Sequence, residues 1–359
     1  MHRAIQAVIA LCIMAVLVGF LARGTDWAEV SAAIMQARPA WLGAALVAII
    51  ACFFTRIQRW SYIVRAVHPA SFRHMFSATQ IGFLVNFTIA LRLGELVRAV
   101  ALARLARLPV SKSLALVAMD RVTDLVGLLA VMLVAVTAYR PTADVVIPPN
   151  TLGNAAEVIV PKALIQVCTL GTFAGLVGIV VVLVAVYVSQ DLALRWIRAT
   201  LGRVSARLSE WVCRMLAQFA DGLHIFRSAG DLAKSTVFSL ITWGLFVAAL
   251  WCFIQAFSIE APWYAAFVAQ SMLAVAVGLP GVPGMLGQFH LPIVAGLVMA
   301  TPGLDPNQAK ALAIAAYLFN AGPVILTGLA CAMWEGMGVV DMTRAGVAAE
   351  AHAKSPGDL

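Results

Sequence analysis

Three short stretches of this chain set charged or turn-forming residues inside apolar sequence. The first is NFTIALRLGELVRA, residues 86–99, where Asn86 precedes Arg92, Gly94, Glu95 and Arg98. Arg92, Glu95 and Arg98 recur every three residues, so on a helix they share one face. One glutamate between two arginines leaves one positive charge over. That surplus suits an anionic group, which a guanidinium grips through two parallel hydrogen bonds. Gly94 would open a returning half-helix, whose amide end also favours an anion. Two readings stand together: an anion-binding face, and a self-neutralising clamp that fixes a turn.

The second stretch holds Asp120, Arg121 and Asp124. The two aspartates are four apart and lie on one helical face. They could hold a divalent metal, but no further carboxylate has suitable spacing, and Arg121 can neutralise Asp124. Ion pairing with Arg92, Arg98 or Arg104 is the favoured expectation, and no metal is assigned. The third stretch is LPGVPGMLGQFH, residues 279–290, with Pro280, Gly281, Pro283, Gly284, Gly287 and His290. Its glycines and prolines permit a turn and close backbone approach. His290 is a packing residue or a proton relay, and packing is the commoner role in an apolar run. Asn320 could hydrogen-bond within a helix bundle.

The elements that must position these residues follow from composition. The chain has 359 residues, of which 62% are hydrophobic and 12% charged. Soluble domains carry about 45–50% apolar and about 25% charged residues. A soluble, disordered or nucleic-acid-binding chain is therefore excluded, although the formal charge is +8. The expected fold is all-α, a polytopic transmembrane helical bundle. Residues 4–22 read as a retained N-terminal helix and residues 26–37 as an interfacial segment. Clear spans are expected at 41–67, 114–138, 163–188, 237–257 and 309–334. Arg56, Arg59, Trp60 and Arg65 read as interfacial anchors at the end of the first of these. Gly171, Gly175 and Gly178 read as permitting close helix approach.

Two apolar stretches, 72–108 and 263–300, are broken by charge or by glycine and proline. Such backbone is tolerated at membrane depth only inside protein or beside a water-filled cavity. Both are expected to be re-entrant hairpins, although residues 263–279 approach the length of a span. The basic segments 56–112 and 190–234 belong in the cytoplasm, the latter as amphipathic helices on lipid, and the proline-rich loop 139–162 outside. The organisation is then an N-terminal helix and interfacial segment (1–40), a first repeat (41–138), a loop, helix and basic segment (139–236), a second repeat (237–335) and a cytoplasmic tail (336–359). Each repeat is span, hairpin, span, and the two would have inverted topology. Paired interrupted segments in inverted halves point to a transport site at the repeat interface. The six cysteines lack metal or redox spacing and read as small packing residues. No Walker A loop, GxGxxG, HExxH or GxSxG is present, and no cofactor is expected.

At these motifs the chain resembles the lysylphosphatidylglycerol synthase transmembrane region family of flippase-like membrane proteins. The resemblance rests on Asn86, Arg92, Gly94, Glu95 and Arg98, then Arg121 and Asp124, then Pro280, Gly281, Pro283, Gly284 and Gly287. It covers about residues 41–334. Four positions depart from the family pattern: Ala90 for proline, Asp120 for glutamate, His290 for glutamate and Asn320 for arginine. The last two suggest a coupled loss of an ion pair, as in a divergent branch such as the hopanoid-associated members. The resemblance implies movement of lipids between leaflets of a bacterial inner membrane, and with only a short polar tail after Trp334 no aminoacyl-transferase domain is expected. The expected site residues for an anionic headgroup are Asn86, Arg92, Glu95, Arg98, Arg121, Asp124 and His290. Membrane lipids are the expected partner, with a homo-oligomer and lipid-synthesis enzymes as further candidates and no nucleic acid. Rival readings are a polyprenyl-phosphate or phospholipid transferase using Asp120 and Asp124, and a non-transporting scaffold of a lipid-synthesis complex.

Overall fold

The computed structural model describes residues 21–88, 93–188, 229–279 and 282–338, with 12, 15–19, 195, 198, 199, 209, 210 and 213. The expected span at 4–22 and the basic segment at 190–234 therefore lie largely outside the described residues. So do Arg92, Pro280 and Gly281.

Helix α1 (Trp27–Gln36) starts where the Asp26 carboxylate accepts from the amides of Ala28 and Glu29, which closes two otherwise open donors. Helix α2 (Pro39–Arg65) opens on a proline, whose missing N–H costs nothing at that position. Then come α3 (Phe72–Thr88), α4 (Gly94–Ala106) and α5 (Val110–Ala138). A two-stranded antiparallel ribbon follows, β1 (Val145–Ile147) with β2 (Val158–Val160), in the loop that sequence marks only by its prolines. Beyond it lie α6 (Lys162–Val188), α7 (Ala229–Ala256), α8 (Ala265–Gly278), α9 (His290–Ala300) and α10 (Pro306–Trp334).

The shortest of α2, α5, α6, α7 and α10 has 27 residues. At 1.5 Å per residue that is about 40 Å, enough to cross a hydrocarbon core of about 30 Å. The hairpin arms are shorter: α8 has 14 residues and α9 has 11, or about 21 and about 16 Å. Residues 263–279 are thus not a span. Pro283–Ala300 is apolar enough for one, but its regular helix begins only at His290. Exposed Val47, Ile50 and Phe54 on α2, and Leu326, Met333 and Trp334 on α10, face outward as lipid-facing side chains do. The protein is a multi-pass membrane protein built as a helical bundle.

The two halves repeat the same contacts. The first helices of each half, α2 and α7, make the most extensive helix–helix contact. Within each half the hairpin arms pair (α3 with α4, α8 with α9), and the second arm packs on the last span (α4 on α5, α9 on α10). Across the halves, α3 packs on α10 and α8 packs on α5, so each hairpin's first arm touches the other half's last span. If each long helix crosses once and the chain from 189 to 228 stays on one side, three crossings from α2 bring the chain to α7 in the opposite direction.

Two sequence expectations change. Gly171, Gly175 and Gly178 on α6 have no atom within 4 Å of where a Cβ would stand, so they support no close approach among the described residues. Arg59 and Trp60 are not interfacial anchors, because both side chains are fully buried.

Candidate functional site

Arg59 lies on the α2 stripe of Ile49, Cys52, Arg56 and Ile63, which turns inward along its whole length. Its Nε and Nη2 donate to Asp120 Oδ1 at 3.1 and 2.8 Å. Its Nη1 donates to Asp124 and, at 3.4 Å, to Ser239 Oγ on α7. The other Asp120 oxygen accepts from Arg98 Nη1 at 2.7 Å. Both oxygens of this carboxylate are therefore occupied, and the side chains of Arg59, Asp120 and Arg98 are at most 1% exposed. The Arg98 guanidinium also lies 3.6 Å from the centre of the Trp60 ring, a cation–π contact strengthened by burial.

Asp124 stands one turn further along α5. Besides Arg59 it accepts from Trp243 Nε1 on α7 at 3.0 Å, from Arg56 Nη2 at 3.3 Å and from Arg121 Nη1 at 3.4 Å. Arg56 is flanked by Phe83 on α3 and Phe246 on α7, with ring centres 5.1 and 5.8 Å away. Arg121 pairs in turn with Glu95 on α4. Among the described residues four guanidiniums face three carboxylates, so one positive charge is left over, and Arg98 Nε and Nη2, Arg56 Nε and Glu95 Oε2 are buried without a hydrogen-bond partner.

Small residues let these helices come together. A Cβ on Gly127 of α5 would meet the Trp243 ring, and the Ser239 carbonyl at 2.7 Å. Glycine there brings α7 close enough for the indole to reach Asp124. A Cβ on Gly82 of α3 would stand 2.7 Å from the Gly94 carbonyl and 2.8 Å from Arg98 Cβ. That contact seats α4, and with it Arg98, against its partner arm. The network also lies at a seam. Ile57, Trp60, Leu116 and Met119 belong to one apolar cluster, and Ile49, Phe53, Val131 and Val247 to the other.

The sequence expectations are partly regrouped here. Glu95, Arg98, Arg121 and Asp124 come together in one network, with Asp120 at its centre. Glu95, however, pairs with Arg121 and not with Arg98, because α5 brings opposite charges to both. Asn86 is spent inside the hairpin: its Oδ1 accepts from the Gly94 amide at 2.9 Å and caps α4. His290 sits at the other hairpin, where its Nδ1 accepts from the Gly287 amide at 3.3 Å and its ring centre is 4.8 Å from that of Tyr317. Tyr317 Oη donates to the Gly284 carbonyl at 2.6 Å. Pro283 starts a short 3-10 turn, and Gly284 and Gly287 take left-handed φ of 66° and 75°. Phe87 at the end of α3 touches Tyr317 of α10, with ring centres 6.2 Å apart, and α3 also packs on the Pro283–Met285 turn. Asn320 Nδ2 donates to Ala316 of its own helix. The aspartates are filled by guanidiniums, and among the described residues no group of three His, Cys, Asp or Glu side chains is placed to hold a metal.

A family model described as "Lysylphosphatidylglycerol synthase TM region" matches residues 7–328. The chain belongs to that family. No curated protein matches it. The matched residues include the whole network, and the family supports a lipid-related function for this integral membrane protein.

Proposed function

We propose that this family member is a lipid flippase or lipid transporter of a bacterial inner membrane, binding an anionic headgroup at the Arg/Asp network. The observation that carries the reading is the surplus charge: four arginines against three carboxylates, with two Arg98 donors buried and unused. Charge inside apolar protein is costly unless it is paired or serves a ligand. An anionic headgroup would supply both the missing charge and the missing acceptors. The network's position supports the same reading, since it joins α2, α4 and α5 of one half to α7 of the other. A group bound there is gripped by both halves, and a rocking of one against the other would carry it. No nucleotide-binding motif is present in the sequence, so movement would be downhill, ion-coupled or dependent on a partner.

The test is a leaflet assay of labelled phosphatidylglycerol in proteoliposomes. Wild type is compared with Arg98→Gln and Glu95→Gln, each first shown to be folded by thermal unfolding. Arg98→Gln is expected to stop movement and Glu95→Gln to change its rate. Movement at the wild-type rate in both variants would remove the proposed site.

A further inference from the structure

Asp120 and Asp124 are four residues apart but are held in different ways. Asp120 is sealed: its side chain and that of Arg59 are wholly buried. Asp124 stands at the exposed edge of the network, with its side chain 11% exposed beside Arg56 at 16% and Arg121 at 39%. Around this one carboxylate converge three guanidiniums and an indole N–H, from α2, α5 and α7. A carboxylate has about four lone-pair positions on two oxygens. A phosphodiester monoanion presents the same charge, also shared between two oxygens. The donor set that holds Asp124 would therefore hold such a phosphate, and because Asp124 keeps its own charge as it turns aside, the phosphate offsets the network's surplus positive charge.

Resting on the headgroup reading above, we propose that the Asp124 cradle is the phosphate-binding subsite and that Asp124 is its internal stand-in. The ligand class is a phosphodiester monoanion, which enters as the Asp124 carboxylate swings out toward solvent. Arg59 stays fixed by Asp120 throughout, so the cradle keeps its shape when its occupant changes. Arg56 and Arg121, the more exposed cations, meet the incoming phosphate first. Trp243 Nε1 reports the exchange, because it donates to whichever anion is present. Asp124 thus sets affinity by competition: the cradle is open to ligand only in the fraction of molecules where the carboxylate has left. A minor state commonly holds about 10% of the population or less. Removing the competitor then tightens apparent binding at least about tenfold.

The experiment uses the full chain in phosphate-free dodecyl maltoside micelles, titrated with fluorescent phosphatidylglycerol. Asp124→Asn is expected to bind at least about tenfold more tightly than wild type, while Asp120→Asn does not gain. Arg59→Gln is expected to lose binding in the wild-type and the Asp124→Asn backgrounds. Competition by glycerophosphoglycerol, the soluble phosphodiester without acyl chains, tells the lipid from a soluble phosphate. Weak competition supports a lipid ligand, and full competition supports the cradle while reassigning its ligand to a soluble phosphate ester. If wild type binds through Arg59 but Asp124→Asn binds no better, the stand-in is overturned and the headgroup reading survives. If wild type shows no Arg59-dependent binding of either probe, both fall. Should Asp124→Asn unfold in the absence of anionic lipid, its Tm is read with and without phosphatidylglycerol. The stand-in requires a larger upward shift than in wild type, and an equal or smaller shift overturns it.

Discussion

Arg59 bonds to both aspartates at once, so it is the residue on which the network most depends. Removing one partner of a buried ion pair leaves its mate uncompensated, at a cost of about 3–5 kcal/mol. Arg59→Leu is expected to lose about that much, measured by thermal unfolding in detergent micelles. Arg59→Lys should recover only part of it, because a single ammonium cannot span Asp120 and Asp124 as the planar fork does. Equal stability of wild type and Arg59→Leu would show that the pairs are not formed in the membrane protein. Glu95, Arg98, Arg121 and Asp124 were legible in the sequence because they interrupt apolar runs. Arg59 was not, since an arginine near the end of an apolar run looks the same whether it reaches to headgroups or turns inward. The signal that separates the two is its phase. Ile49, Cys52, Arg56, Arg59 and Ile63 keep three-to-four-residue spacing, so Arg59 continues the buried stripe. The pairing of Glu95 with Arg121 was hidden for a different reason. It depends on how α4 packs against α5, which no spacing within NFTIALRLGELVRA encodes.

At the scale of elements, length and breaks were enough to mark the two hairpins. Neither α8 nor α9 could cross a bilayer alone, and each broken stretch carries charged residues or glycine and proline in its sequence. What the sequence does not carry is which glycine holds two helices together. Gly171, Gly175 and Gly178 have the familiar spacing yet face open space, while Gly82 and Gly127, without such spacing, stand against a neighbouring backbone. Close packing is a property of pairs of helices, so one helix alone cannot show it. A methyl group at Gly82 must push α4 away from α3 or shift Arg98, and overpacking of this kind costs about 1–3 kcal/mol. Gly82→Ala is therefore expected to lower the Tm and weaken headgroup binding together. Gly171→Ala, with nothing near its Cβ position, should leave both unchanged. Gly127→Ala adds a sharper test at the α5–α7 contact. It should displace Trp243 from Asp124 and alter indole fluorescence in a background where the other tryptophans are replaced by phenylalanine.

For the whole molecule, the contacts of the two halves are nearly symmetric but the chemistry is not. The first half supplies every arginine and carboxylate of the network, and the second supplies Ser239 and Trp243 from α7. The equivalent hairpin of the second half is instead closed by Tyr317, His290 and left-handed glycines, through neutral hydrogen bonds and ring contacts. A two-state movement between such halves would break ion pairs on one side of the membrane and only neutral contacts on the other. That argument depends on the halves being inverted, and this follows only if α6 crosses once and the chain from 189 to 228 stays on one side. The positions that test it are Arg107, after α4, and Arg140, after α5. Each is changed to cysteine in a chain whose six native cysteines are replaced by serine, and each is labelled in intact spheroplasts with a membrane-impermeant maleimide. Arg140→Cys is expected to label from outside, and Arg107→Cys only after the membrane is opened. The same treatment of Ser258→Cys, just after α7, should label from outside, since α7 then ends on the side where α2 begins. If Arg107→Cys and Arg140→Cys label from the same side, α5 does not cross. If Ser258→Cys labels only from inside, α7 runs parallel to α2, and the symmetry of the contacts would have to arise without inversion.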